Sequence, residues 1–163
     1  MKNYRQEIKW GLLFVAMQLL WMTGEKLSGL HDVHIEQHAL YTNLIAIPAM
    51  LLYLAAFLAI RKNAGGCLRF AHAMRSGLVI TLVVTLLSPL TQFLTVEVIS
   101  PAYFENASAY AVDNGMMNES QAAEYFNLNN YLLLTVISTP IMGMLTSLII
   151  GGILALIDRK KFV

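Results

Sequence analysis

Three of the four histidines fall within eight residues, in the stretch Leu30-His31-Asp32-Val33-His34-Ile35-Glu36-Gln37-His38. On one continuous helix His31, His34 and His38 share a face, at i, i+3 and i+7. Imidazoles so placed can bind Zn²⁺ or another divalent transition metal, with Asp32 or Glu25 adding a carboxylate oxygen. Histidine also titrates near neutral pH, so the same group could sense protons. Glu25 and Glu97 are the acids nearest the apolar segments on the histidine side, which makes Glu25, His31, His34, His38 and Glu97 the candidate site. The metalloprotease pattern is absent. In His34-Ile35-Glu36-Gln37-His38 the acid is the third residue, off the histidine face and badly placed as a general base. The competing reading is a polar turn at the membrane interface, in which His31 and Asp32 cap helix ends and Glu25 pairs with Lys26 or a histidine.

The rest of the chain decides what carries this cluster. Of its 163 residues 57% are apolar and 13% charged, about half the charged share of a soluble domain. That balance excludes a disordered chain, a nucleic-acid-binding tail and a disulfide-stapled secreted scaffold; the lone Cys67 has no partner. A bilayer core of about 30 Å needs roughly 20 apolar helical residues. Four segments qualify, at about 10–30, 39–60, 76–96 and 131–157. The first reads as an uncleaved helix, since no small-x-small cleavage site follows it. The expectation is an all-α, integral membrane four-helix bundle, with residues 1–163 as a single transmembrane domain.

Lys2, Arg5 and Lys9 precede the first segment, Arg61, Lys62, Arg69 and Arg75 lie between the second and third, and Arg159, Lys160 and Lys161 follow the fourth. Only Lys26 falls on the other side. Basic residues near span ends stay in the cytoplasm, so both termini are expected there, in an inner membrane. The basic face also favours anionic lipid headgroups. After Gly65-Gly66, residues Cys67 to Met74 read as a short cytoplasmic interfacial helix. The long outer connection reads as a helical hairpin. Ser100 and Pro101 open its first helix, Asp113-Asn114-Gly115 closes it, and Asn118 with Gln121 caps the second in a capping box.

Lipid tails give helices no hydrophobic reason to associate, so small residues must let them approach. Thr139, Gly143, Ser147, Gly151 and Ala155 recur every four residues in the fourth segment, a packing stripe that could serve within one chain or between two. The third segment carries a polar stripe, Gly77, Thr81, Thr85, Ser88 and Gln92. It reads as interhelical hydrogen bonding or as a polar path for a small solute. Pro48, Pro89 and Pro140 each free a carbonyl four residues earlier, and Ser88 and Thr139 set a hydroxyl beside the break.

Glu25-Lys26-x-x-Gly29-x-His31 with His38 and Asn43, Gly77-Leu78, Ile99-Ser100-Pro101-x-Tyr103-Phe104, and Phe126-x-Leu128 before Tyr131 together resemble domain-of-unknown-function family 4199. The resemblance covers nearly the whole chain and implies a small, four-span protein of the bacterial inner membrane. It implies no activity, so no catalytic residue carries over. No phosphate-binding loop, nucleophile elbow, dinucleotide fingerprint or protease motif is present. The leading expectation is a non-enzymatic accessory or assembly protein with a membrane-protein partner or a second copy of itself. The alternative is an outer-face metal- or proton-sensing site coupled to a small-solute path.

Overall fold

A computed structural model describes residues 4–159; Lys2, Lys160 and Lys161 lie outside the described residues. Every regular element among the described residues is helical. Helix α1 runs Arg5–Leu27. A turn leads to α2, Ile35–Tyr41, which continues through a 3₁₀ turn, Thr42–Ile45, into α3, Ala46–Asn63. The long α4, Phe70–Leu94, ends in a π-helical turn, Thr95–Ile99. Two short helices follow, α5, Tyr103–Asp113, and α6, Glu119–Tyr125, before α7, Leu128–Arg159.

Three stretches are long and apolar enough to cross a membrane: Ile35–Asn63, Phe70–Ile99 and Leu128–Arg159. Most of each faces outward, with Leu86, Leu133, Ile137, Ile141 and Leu148 among the exposed residues. Surfaces of that kind are compatible with hydrocarbon around them.

The expected interfacial helix is not a separate element. Gly65 and Gly66 end α3: both have positive φ, and the Gly66 and Gly65 N–H groups donate to the Arg61 and Lys62 carbonyls, the paired bonds of a glycine-terminated helix. From Phe70 the chain is already the first turn of α4. Burial decides this, because Leu68 and Ala73 are fully enclosed in the core with Phe57, Ile60 and Leu154 instead of lying on a surface.

Three residues of the packing stripe, Gly143, Ser147 and Gly151, are used inside the chain. Helix α4 packs most extensively against α7, and also against α1; α3 packs against α7 and α1. A Cβ on Gly151 would stand 2.9 Å from the Ala73 Cβ, and one on Gly143 2.5 Å from the Thr81 Oγ1. A Cβ on Gly77 would run into the Ser147 side chain. Ala73–Gly151, Gly77–Ser147 and Thr81–Gly143 thus step antiparallel, four residues at a time, along both stripes. Tyr53 of α3 closes the seam, its hydroxyl 3.0 Å from the Thr81 Oγ1.

Proline 89 removes the N–H that would bond the Thr85 carbonyl. The Ser88 hydroxyl donates to that carbonyl instead, at 2.8 Å. Pro48 sits in the first turn of α3, directly after the 3₁₀ turn, where the missing N–H is least needed.

Contacts between distant residues gather the basic segments at one end. The Asn63 amide donates to the Gln6 side chain at 2.7 Å, and the Ser76 hydroxyl donates to Glu7 at 2.8 Å. Arg61 clamps both oxygens of buried Asp158, Nε to Oδ2 at 2.7 Å and Nη2 to Oδ1, and the Leu68 N–H adds a bond to Oδ2.

Candidate functional site

At the opposite end Glu25 stands in the last turn of α1 and is buried. Gly29, at φ +80°, terminates that helix: the Leu30 and Gly29 N–H groups donate to the Glu25 and Lys26 carbonyls. A side chain at Gly29 would also meet Val33 at 2.7 Å. The tight reversal folds His31 back over Glu25, and the Asn106 side chain of α5 pins the His31 carbonyl at 2.9 Å. His38 comes from the second turn of α2.

Glu25 Oε2 lies 3.2 Å from His31 Nε2 and 3.5 Å from His38 Nε2. Its other oxygen accepts the Trp21 indole N–H at 2.5 Å. One ligand atom from each of Glu25, His31 and His38 falls within 4.8 Å of the others. His31 and Glu25 are almost wholly enclosed, with side chains 2% and 3% exposed, and His38 is 17% exposed. The Tyr103 ring lies tilted over both imidazoles, centroids 5.0 and 5.1 Å away, and the two imidazoles meet edge to face at 5.2 Å. Burial pushes the Tyr103 phenol above its ordinary value, so it stays neutral.

Two of the five sequence candidates are not brought in. His34 and Glu97 are both exposed; His34 lies 3.9 Å from Glu36 at the surface. The shared histidine face presupposed one continuous helix. The Gly29 reversal and the turns up to His34 break it, so His34 points out where His31 points in. Glu97 sits on the outward side of the π-helical turn, while Thr95 and Val96 are buried. Asp32 takes no part either. It pairs with Lys26 at 2.6 Å, and that ammonium, with the Val33 N–H, holds its carboxyl below the ordinary range.

Ser100 does not cap α5. The π-helical turn carries α4's course to Ile99, closed by the Ser100 N–H donating to the Thr95 carbonyl, and α5 begins only at Tyr103. That offset sets Tyr103 over the histidines. The capping box between Asn118 and Gln121 forms as expected. Trp21, Asn106 and Tyr103 are the contributors that spacing did not reveal. Trp21 had a signal, four residues before Glu25 on the same helix.

Beneath the histidines lies a cavity of about 330 Å³, walled by His31 and His38 with Thr42, Gln92, Thr95 and Ser138. The polar stripe of α4 therefore divides. Gly77 and Thr81 face α7, whereas Gln92 opens on this cavity.

Residues that carry the family resemblance, Glu25, Gly29, His31, His38, Tyr103, Phe104 and Tyr131, converge here: Tyr103, Phe104 and Tyr131 form one ring cluster against the histidines. No curated protein and no solved structure matches the chain. The family model described as "Protein of unknown function (DUF4199)" matches residues 9–157, most of the chain, and the protein belongs to that family.

Proposed function

We propose that this is a non-enzymatic membrane protein whose outer end binds a divalent transition metal of the Zn²⁺ type through Glu25, His31 and His38. One observation carries the reading. A tetrahedral ion with bonds of about 2.0–2.1 Å spaces its ligand atoms about 3.3–3.4 Å apart. The two Glu25–histidine separations, 3.2 and 3.5 Å, bracket that edge. The donor set, two imidazoles and a carboxylate, suits Zn²⁺ better than Mg²⁺ or Ca²⁺. Because both histidines wall the cavity, a bound ion would be in reach of a small solute there.

Helix α1 serves in this reading as a fourth crossing. Its 23 residues span about 35 Å, and Leu12, Leu13 and Leu20 face outward. Gly11 meets Val83 and the Ile80 carbonyl of α4, as a packed membrane helix would. With the basic end of the helices in the cytoplasm of a bacterial cell, both termini lie inside and the metal site faces out. The accessory or assembly role remains the broader class. A protein partner or second copy would dock on the apolar outer faces, since Gly143, Ser147 and Gly151 of the small-residue stripe already pack against α4.

Calorimetric titration of the purified protein with Zn²⁺ tests the site. Saturable heat is expected, lost in His31→Ala and His38→Ala and kept in His34→Ala. Protons compete with the metal for both Nε2 atoms, so affinity falls as pH falls. No heat above background, or equal loss in His34→Ala, would remove the metal reading.

A further inference from the structure

At the basic end the connection between α3 and α4 meets the last turns of α7 around a cavity of about 750 Å³. Its wall combines two chemistries. Arg69, His72 and Arg159 supply charge and N–H donors; Phe70, Gly152 and Leu156 supply an apolar strip. Among the described residues no carboxylate lines it. The nearest acid in sequence, Asp158, is buried, with both oxygens engaged by Arg61 and one also by the Leu68 N–H. Among the described residues, neither Arg69 nor Arg159 of the wall takes part in an ion pair. Phe70 and Leu156 are 51% and 62% exposed, and a Cβ on Gly152 would come no nearer than 3.9 Å to the Phe70 ring, which leaves a shallow channel down the side of α7.

We propose that this cavity binds the phosphodiester headgroup of an anionic phospholipid, held between Arg69 and Arg159, with an acyl chain lying along Phe70, Gly152 and Leu156. Guanidinium groups grip phosphate oxygens in pairs. Basic pockets at the ends of membrane helices take acidic headgroups. A free phosphate ester would satisfy the arginines but has no use for the apolar strip, and the strip runs from the charged rim onto the surface that faces hydrocarbon. Tyr131, which lines the histidine cavity, and Arg159 lie at opposite ends of α7, about 42 Å apart along the helix, so the site does not depend on the histidines.

Native mass spectrometry of the delipidated, detergent-solubilised protein tests this, offered phosphatidylglycerol and phosphatidylcholine in equal amounts, with glycerol phosphate as a soluble arm. Retention of phosphatidylglycerol should exceed that of phosphatidylcholine by at least about tenfold. Arg69→Gln with Arg159→Gln should abolish the preference, and each single variant should reduce it. Lys62→Gln, exposed at the same end but off the wall, should leave it intact. Leu156→Gln should weaken the lipid and not glycerol phosphate. Equal retention of the two lipids, or a preference that survives the double arginine variant, would overturn the site. Glycerol phosphate binding as tightly as phosphatidylglycerol would overturn the lipid in favour of a soluble phosphate ester.

Discussion

Replacing Gly77 by alanine puts a methyl group where α4 and α7 touch. The added Cβ would sit 2.5 Å from the Ser147 Cβ, against about 3.5–4.0 Å for carbon atoms in comfortable contact. The Ser147 Cβ is fixed by its backbone, so no rotamer change relieves the clash. The helices must part by about 1 Å, and a gap of that size forfeits a quarter to a half of the attraction at each neighbouring step of the seam. Overpacking of this kind costs about 2–3 kcal/mol. Alanine recovers about 1 kcal/mol of helix propensity, leaving a net loss of about 1–2 kcal/mol. For a chain of this size that lowers Tm by about 2–8 °C. Thermal unfolding in detergent reads it directly. The sharper test is the cycle with Ser147→Gly, which removes the obstructing atom. In that background Gly77→Ala should cost at least about 1 kcal/mol less, well beyond the error of additivity. Gly152→Ala, with nothing closer than 3.9 Å, should be neutral or stabilise by up to about 1 kcal/mol. If Gly77→Ala costs the same in both backgrounds, the two stripes do not face each other and the seam is wrong.

Asp158→Ala should destabilise by about 3 kcal/mol, near the low end for breaking a buried pair because the Arg61 side chain is 23% exposed and can turn to water; a Tm shift under 2 °C would contradict this. Asn118→Ala removes the capping box of α6 and should cost about 1 kcal/mol, seen as faster amide exchange confined to the first turn of Glu119–Tyr125; unchanged exchange there would count against the cap. Gly29→Ala forces a side chain into a positive-φ position and should cost about 1–2 kcal/mol, and it should weaken Zn²⁺ binding although residue 29 supplies no ligand. Normal Zn²⁺ heat in that variant would mean the reversal does not position His31. Asp32, held below its ordinary 3.8 by Lys26, contributes its small, exposed share of stability above that value and loses it as pH falls through the lowered one. The Tm difference between wild type and Asp32→Asn should accordingly vanish on acidification; a difference that grows would reverse the sign.

Much of the architecture was written locally. A membrane helix is selected residue by residue, because each apolar side chain prefers hydrocarbon whatever its neighbours do. The apolar stretches and the run of basic residues around them could therefore be read one segment at a time. So could the Asn118–Gln121 capping box and the rescue of the Thr85 carbonyl by Ser88, whose partners lie three residues apart. The small residues of both stripes were visible too, but not that they meet each other.

The tertiary structure decided the rest. Whether Cys67 to Met74 lay on a surface or opened α4 depended on Leu68 and Ala73 finding places in a core built by α3 and α7. Which of the five candidate side chains converge depended on a single positive-φ glycine and on how far α4 runs before its π-helical turn releases the chain. Sequence spacing gives angles around one axis only while the axis continues. Once Gly29 breaks it, the meeting of Glu25 with His31 and His38, under a tyrosine more than sixty residues away, follows from the rotation of separate helices against one another, and packing alone sets that rotation.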